Sequence, residues 1–258
     1  MLLPIVTTAA LATAALLLPP TTTRYQVVQR LQQEIDATGL GGGKQSVVIK
    51  TTSFIAVTLS DTVGGKAMRV VVDSIKADSL PPGFPADSLT KAKGAVFTGF
   101  IDAIGKVSEV KAQGASVAGV QLEGFLREMY PRTKGTVKIG DAWTDTTTSS
   151  NPIGNGEMST RSITKFRATA SEKMAGVTTT RIDADFTTAM AGSQATPGGS
   201  ADIEGTGTGT AHYYMAADGR LMGGESKSTS NLSVTVLGQQ SATLPVTIEQ
   251  SVSVKALP

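Results

Sequence analysis

Across residues 25–256 apolar side chains recur mainly with a period of two, and the pattern is cleanest near the C-terminal end. There Leu244, Val246, Ile248, Val252 and Val254 share one parity, while Thr247, Glu249, Ser251, Ser253 and Lys255 share the other. Successive side chains of a strand point to opposite faces, so this segment reads as a strand with one face in a core and one in water. Pro245 fits a strand beginning or an edge position. Further strands are expected over residues 46–60, 67–76, 95–101, 106–111, 136–146, 160–170, 177–189, 207–216 and 221–236. Near the start, Tyr25, Val27, Leu31 and Ile35 alternate with Arg24, Gln26, Arg30 and Gln32, although Val28, Leu31 and Ile35 also fit a helix.

Composition supports the β reading. Thr and Val suit a pleated, half-buried surface, and the 28 glycines mark turns and bulges. Turns are expected at residues 38–44, 61–66 and 102–105, with a Pro-rich loop at Pro81, Pro82 and Pro85. One segment departs from the pattern. Val117, Val120, Phe125, Leu126 and Met129 fall at helical spacing, with Ser116 as N-cap and Pro131 as stop, which predicts a single helix at 116–130. Its apolar face reads either as a seal on the core or as the cover of an apolar cavity. In the second case Val120, Phe125, Met129 and Tyr130 are the candidate ligand contacts, methionine being adaptable to a bound group.

The two halves of the chain run in parallel. Residues 97–107 lead through Asp102 and Gly105 to Lys106, and residues 211–221 through Asp218 and Gly219 to Arg220. Residues 46–76 correspond to 160–189 in element order, and Tyr25 corresponds to Trp143. This predicts an all-β chain with minor α content. One β-rich domain over residues 21–258 would be made of two tandem repeats, about 24–130 and 131–258, forming a large curved antiparallel sheet or half-barrel of ten to twelve strands. Trp143 is expected to anchor the core between the halves.

Residues 1–18 are apolar or small throughout, followed by Pro19-Pro20 and a Thr run, the shape of a signal peptide over residues 1–20. The small-x-small triplets 10–12 and 12–14 are candidate cleavage sites, and no Lys or Arg precedes the apolar run. Left uncleaved, the same segment would be an N-terminal anchor and the one contact with a membrane. Either way the chain is expected to be exported, to the periplasm or outside the cell. With no cysteine it has no disulfide, no thiolate metal site and no lipobox.

Composition and motifs argue against several functions. The 23 basic residues are scattered and nearly balanced by 21 acidic ones, so no nucleic-acid partner is expected. The run TGLGGGKQ at 38–45 has Thr38 where a phosphate loop needs glycine and Gln45 where it needs Ser or Thr, and reads as a hairpin turn. The run GTGTGT at 205–210 continues into a strand rather than a helix, so it is not a dinucleotide fingerprint. His212 is the single histidine and reads as a half-exposed strand residue beside two tyrosines. Asp183 and Asp185 share one face of a strand and read as solvated. No catalytic residue, metal site or cofactor is expected.

One resemblance extends this reading. The chain reads Asp102-x-x-Gly105, then a segment ending Met129-Tyr130-Pro131, then Val137-x-x-Gly140-Asp141-x-Trp143, then Asp218-Gly219. In this it resembles an uncharacterised family of bacterial exported β-rich proteins, often lipoproteins, described only as a domain of unknown function. That family is similar in outline to the lipoprotein-localisation type of half-barrel, in which a helix lies across the concave side of the sheet and shelters an acyl chain. The resemblance implies a carrier of a lipid or other apolar small molecule. The missing lipobox cysteine implies a free rather than lipid-tethered protein. A structural or interaction protein of the cell envelope with a filled core, and more remotely a hydrolase, are the alternatives.

Overall fold

The first and last strands pair in the middle of one sheet. In the computed structural model, β1 (Thr21–Asp36) runs antiparallel to β11 (Ala242–Ala256), with Tyr25 opposite Ala256 and Ile35 opposite Val246. From β1 the chain steps outward through β2 (Lys44–Thr62), β3 (Gly65–Ser79), β4 (Val96–Asp102) and β5 (Val107–Gln113) to one edge. The helix α1 (Val117–Glu128) then leads to the opposite edge, β6 (Ala142–Ile153). From there β7 (Gly156–Met174), β8 (Val177–Thr196), β9 (Gly199–Ala216) and β10 (Leu221–Leu237) step back to β11. The result is one open antiparallel sheet of eleven strands in the order β5-β4-β3-β2-β1-β11-β10-β9-β8-β7-β6. The structure describes residues 19–80, 91–113, 117–133, 135–153, 155–196, 199–237 and 241–258. The signal peptide expected at the N-terminus (residues 1–18 of it), the Pro-rich loop expected around residues 81–85 and the N-cap expected at Ser116 therefore lie outside the described residues.

The sheet is curved. Residues of β2 and of β6 line one cavity although seven strand spacings separate them. At about 4.8 Å per spacing a flat sheet would hold them some 34 Å apart, so the sheet must wrap. Its concave face is packed at one end. Tyr25, Val27, Ile55, Val57, Met68 and Phe97 are almost fully buried there, and α1 covers them with Leu122 and Leu126, followed by Met129 and Tyr130. Full burial of such a side chain stabilises by about 1.5–3 kcal/mol.

Two hydrogen bonds to the β4–β5 hairpin hold the helix in place. Arg127 Nη2 donates to the Val110 carbonyl of β5 at 3.2 Å and to Glu123 Oε1 at 2.6 Å, one turn back. The chain leaving α1 docks on the β4–β5 turn, where Thr133 N–H donates to the Ile104 carbonyl at 2.6 Å. Gly105 lies against that chain with φ of 80°, and a Cβ there would meet the Pro131 carbonyl oxygen at 2.5 Å. Only glycine satisfies both the left-handed backbone and the close approach.

The strand-and-helix expectation is met in kind, while several boundaries move. The first segment is a strand, not a helix, because β1 is paired on both sides, by β2 and β11. The strand expected at 136–146 instead begins at Ala142. Residues 138–141 form a turn, in which Lys138 N–H donates to Asp141 Oδ2 at 2.8 Å and Gly140 takes φ of 96°. Strands β7, β8 and β9 extend well past their expected ends. Their extra residues are mostly small or polar, with only Met158, Met174, Met190 and Ile203 as large apolar side chains, so the hydrophobic alternation there is weak and strand pairing carries the extension.

Candidate functional site

Register stacks the concave-face residues into rows that cross the sheet, and the rows change character with distance from α1. The row beneath the helix contains Ile182, Tyr213, Gly224, Val254 and Val27. The next contains Phe166, Ala184, Ala211, Ser226 and Val252. Beyond it come Thr164, Phe186, Gly209, Ser228, Gln250 and Leu31. The row after that is Thr147, Ser162, Thr188, Gly207 and Ser230. Thus the same face passes from aliphatic and aromatic to a band of hydroxyls, beyond which Met190, Leu232, Val246 and Ile35 form an apolar row again.

Between this face and the exit of α1 lies a cavity of about 670 Å³. Phe125, Met129 and Tyr130, three of the four residues read as ligand contacts from sequence, line it from the helix side. Val120 lies on α1, but its side chain falls outside the described ones. Leu126 is fully buried in the core instead, so one stretch of chain both seals the packed end and faces the cavity. On the sheet side the apolar lining comes from Leu31, Ile49, Phe166, Phe186, Met190 and Val252. Sequence reasoning placed Leu31 and Val252 on the apolar face of their strands but read none of the six as lining a cavity. The signal was present as same-face alternation in β1 and β8, but which distant strands face the helix is not a local property.

The 205–210 run finds its explanation here. Gly205, Gly207 and Gly209 all face the cavity side and the intervening threonines face away. A Cβ on Gly209 would meet the Phe186 ring at 2.3 Å, and one on Gly207 would meet Thr188 Oγ1 at 2.5 Å and Ser230 Oγ at 2.6 Å. The glycines clear room for neighbouring side chains to lie across β9.

Three tyrosines close the packed end. Tyr25 Oη donates to the Leu221 carbonyl at 2.7 Å, and burial pushes its pKa up to about 12. Tyr130 lies beside it, and burial, with Tyr25 as a further cause, holds its pKa well above the usual phenol value. Its hydroxyl is buried without a hydrogen-bond partner among the described residues. Tyr213 is also pushed up to about 12, by burial and then by the nearby Glu128 carboxylate. All three remain neutral at physiological pH, so this end of the cavity offers no phenolate charge.

The other sequence candidates lie elsewhere. His212 has the register parity of the convex face, where it meets Tyr214 edge-on with ring centroids 5.5 Å apart. Its in-register neighbours are Asp183 and Glu225. Asp183 is engaged by Arg181 Nε and Thr169 Oγ1, both at 2.8 Å, and Asp185 is exposed, so both aspartates lie on the solvated side. Trp143 does not stand at the β1–β11 seam between the halves. It lies on edge strand β6, stacked on Phe166 at 5.2 Å, and its indole N–H donates to the Arg132 carbonyl at 2.7 Å. It therefore ties the chain leaving α1 to the far edge of the sheet. Among the described residues no helix is long and apolar enough to cross a membrane, and no three His, Asp or Glu side chains gather as a metal site.

Comparison of the chain with protein-family models, curated proteins and solved structures gives no match.

Proposed function

We propose that this chain is an exported, non-catalytic binding or carrier module, acting in the periplasm or outside the cell, for a lipid or other apolar small molecule. The observation that carries the proposal is the cavity of about 670 Å³ between the concave face and the exit of α1, lined by Phe125, Met129 and Tyr130. Its volume falls within the range of small-molecule sites, roughly 300–1,000 Å³, and its apolar lining suits an acyl chain. Export rests on the apolar leader at residues 1–18. The test is native mass spectrometry of the protein purified from its exported fraction, with organic extraction of bound material. A co-purifying lipid that disappears in Phe125→Asp is the expected result, whereas a clean apo mass from the wild-type chain would overturn the carrier reading.

A second reading has its own support. Strand β6 is an edge twelve residues long, and over Thr146–Ser150 it presents only Thr and Ser side chains. This stretch, between Asp145 and Pro152, carries neither charge nor proline, and such an edge is a template for pairing with another chain, as in an envelope interaction protein. An apo mass accompanied by a defined oligomer would favour it.

A further inference from the structure

Resting on the carrier reading, we infer that the ligand is an uncharged amphiphile. Its hydrocarbon chain would lie under α1, and its hydroxyl-, ether- or amide-bearing polar part along the outer Ser/Thr wall of β7–β10. The argument begins with the hydroxyl band that crosses the concave face between the apolar rows under α1 and the outer row of Met190 and Leu232. A purely apolar ligand would be matched by the rows of Val254 and Val252, yet the cavity continues over Ser228, Thr188 and Ser230. These three are half-buried, and among the described residues no side-chain hydrogen bond engages their hydroxyls. The Thr188 and Ser230 oxygens converge over Gly207, each within 2.6 Å of where its Cβ would stand, so two free hydroxyls meet at one point of the wall. Hydroxyls both donate and accept, which matches a polyhydroxylated or amide-bearing group better than a hydrocarbon. Covering them with hydrocarbon would leave them unsatisfied.

Charge decides the rest. Among the described residues facing the cavity the basic side chain is Arg132, and Asp145 Oδ2 lies 3.6 Å from its Nη1. Arg30 borders the cavity, but its register turns it to the opposite face, where it donates to Gln32 Oε1 at 2.8 Å. A carboxylate or phosphate head on the wall would therefore be desolvated without a free cation among the described residues to meet it. Of the carboxylates that line the cavity, Glu128 stands at the helix end near Tyr213, Asp145 is met by Arg132, and Glu225 has the register parity of the opposite face. A cationic head on the wall thus has no uncompensated carboxylate in register with it among the described residues.

The test is calorimetric titration of the full chain with three probes of equal chain length, each below its micelle concentration: dodecyl maltoside, dodecanoate and dodecyltrimethylammonium. The maltoside is expected to bind at least about tenfold more tightly than either ion. A Thr188→Val/Ser230→Ala double variant, with unchanged thermal midpoint, should lose that preference while still binding dodecanoate. Equal affinity for all three probes, unmoved by the double variant, would overturn the headgroup assignment and leave the carrier reading standing. Preference for an ionic probe would overturn it likewise. Binding of none would overturn both.

Discussion

The two ends of the concave face are built on the same backbone and differ in almost everything else. Under α1, strands β1 to β4 contribute Tyr25, Val27, Ile55, Val57, Met68 and Phe97, closely packed and nearly without exposure. Part-way along β7 to β10 the equivalent positions are Ser162, Thr164, Thr188, Ser228 and Ser230 with glycines between them, and these hydroxyl residues are half-buried and open to the cavity. The first region obtains its stability from apolar burial and the second mainly from strand pairing, because hydroxyls gain little from being covered. Stability and recognition are thus separated along the strands. The packed end holds the helix, and the helix leaves the hydroxyl wall uncovered.

That contrast can be broken most strongly by base. Tyr25 and Tyr213 ionise near 10 in an unfolded chain and near 12 in the folded one, and Tyr130 is shifted in the same direction. The unfolded state then releases protons first, so stability is fully present below about pH 10 and the share from Tyr25 and Tyr213 is lost as pH rises from about 10 to about 12. At about 1.4 kcal/mol per unit and group the loss is on the order of several kcal/mol. Urea unfolding followed from pH 8 to 12 measures it, and Tyr213→Phe should flatten the fall; a slope unchanged in that variant would remove Tyr213 from the account.

Next in size is Leu126→Ala, which empties a fully buried site at the packed end. It should lower unfolding free energy by about 2–5 kcal/mol, read from the urea midpoint. A loss below about 1 kcal/mol would mean that α1 contributes little to the core. The smallest effect is expected at the wall. Ser228→Ala should change stability by no more than about 0.5 kcal/mol, because its hydroxyl has no partner to lose. A large loss there would erase the distinction between the two ends.

Much of this was legible in the chain. The alternation of Leu244, Val246 and Val254 correctly gave a core-facing strand, and the break in the period of two gave α1, whose face was readable either as a seal on the core or as a cavity cover. Leu126 does the first, and Phe125, Met129 and Tyr130 line a cavity. The wall was not legible. Thr188, Ser228 and Ser230 lie in stretches where both faces carry small polar residues, so nothing local says which hydroxyls look inward. Trp143 shows the same limit: its burial could be anticipated, but its partners Phe166 and Arg132 follow from the position of β6 at the edge.

By itself the sequence determined the type of each element: strands from alternation, turns from Gly105 and Gly219 with their aspartates, and one helix from its spacing. These follow from interactions among residues a few positions apart, where side-chain parity and backbone sterics act directly. Only the tertiary structure decided that β1 pairs with β11, that the strands run to as many as twenty residues, and that a curved sheet leaves a cavity beside its helix. Those depend on hydrogen bonds between residues as distant as Tyr25 and Ala256, whose register is set by the packing of the whole concave face.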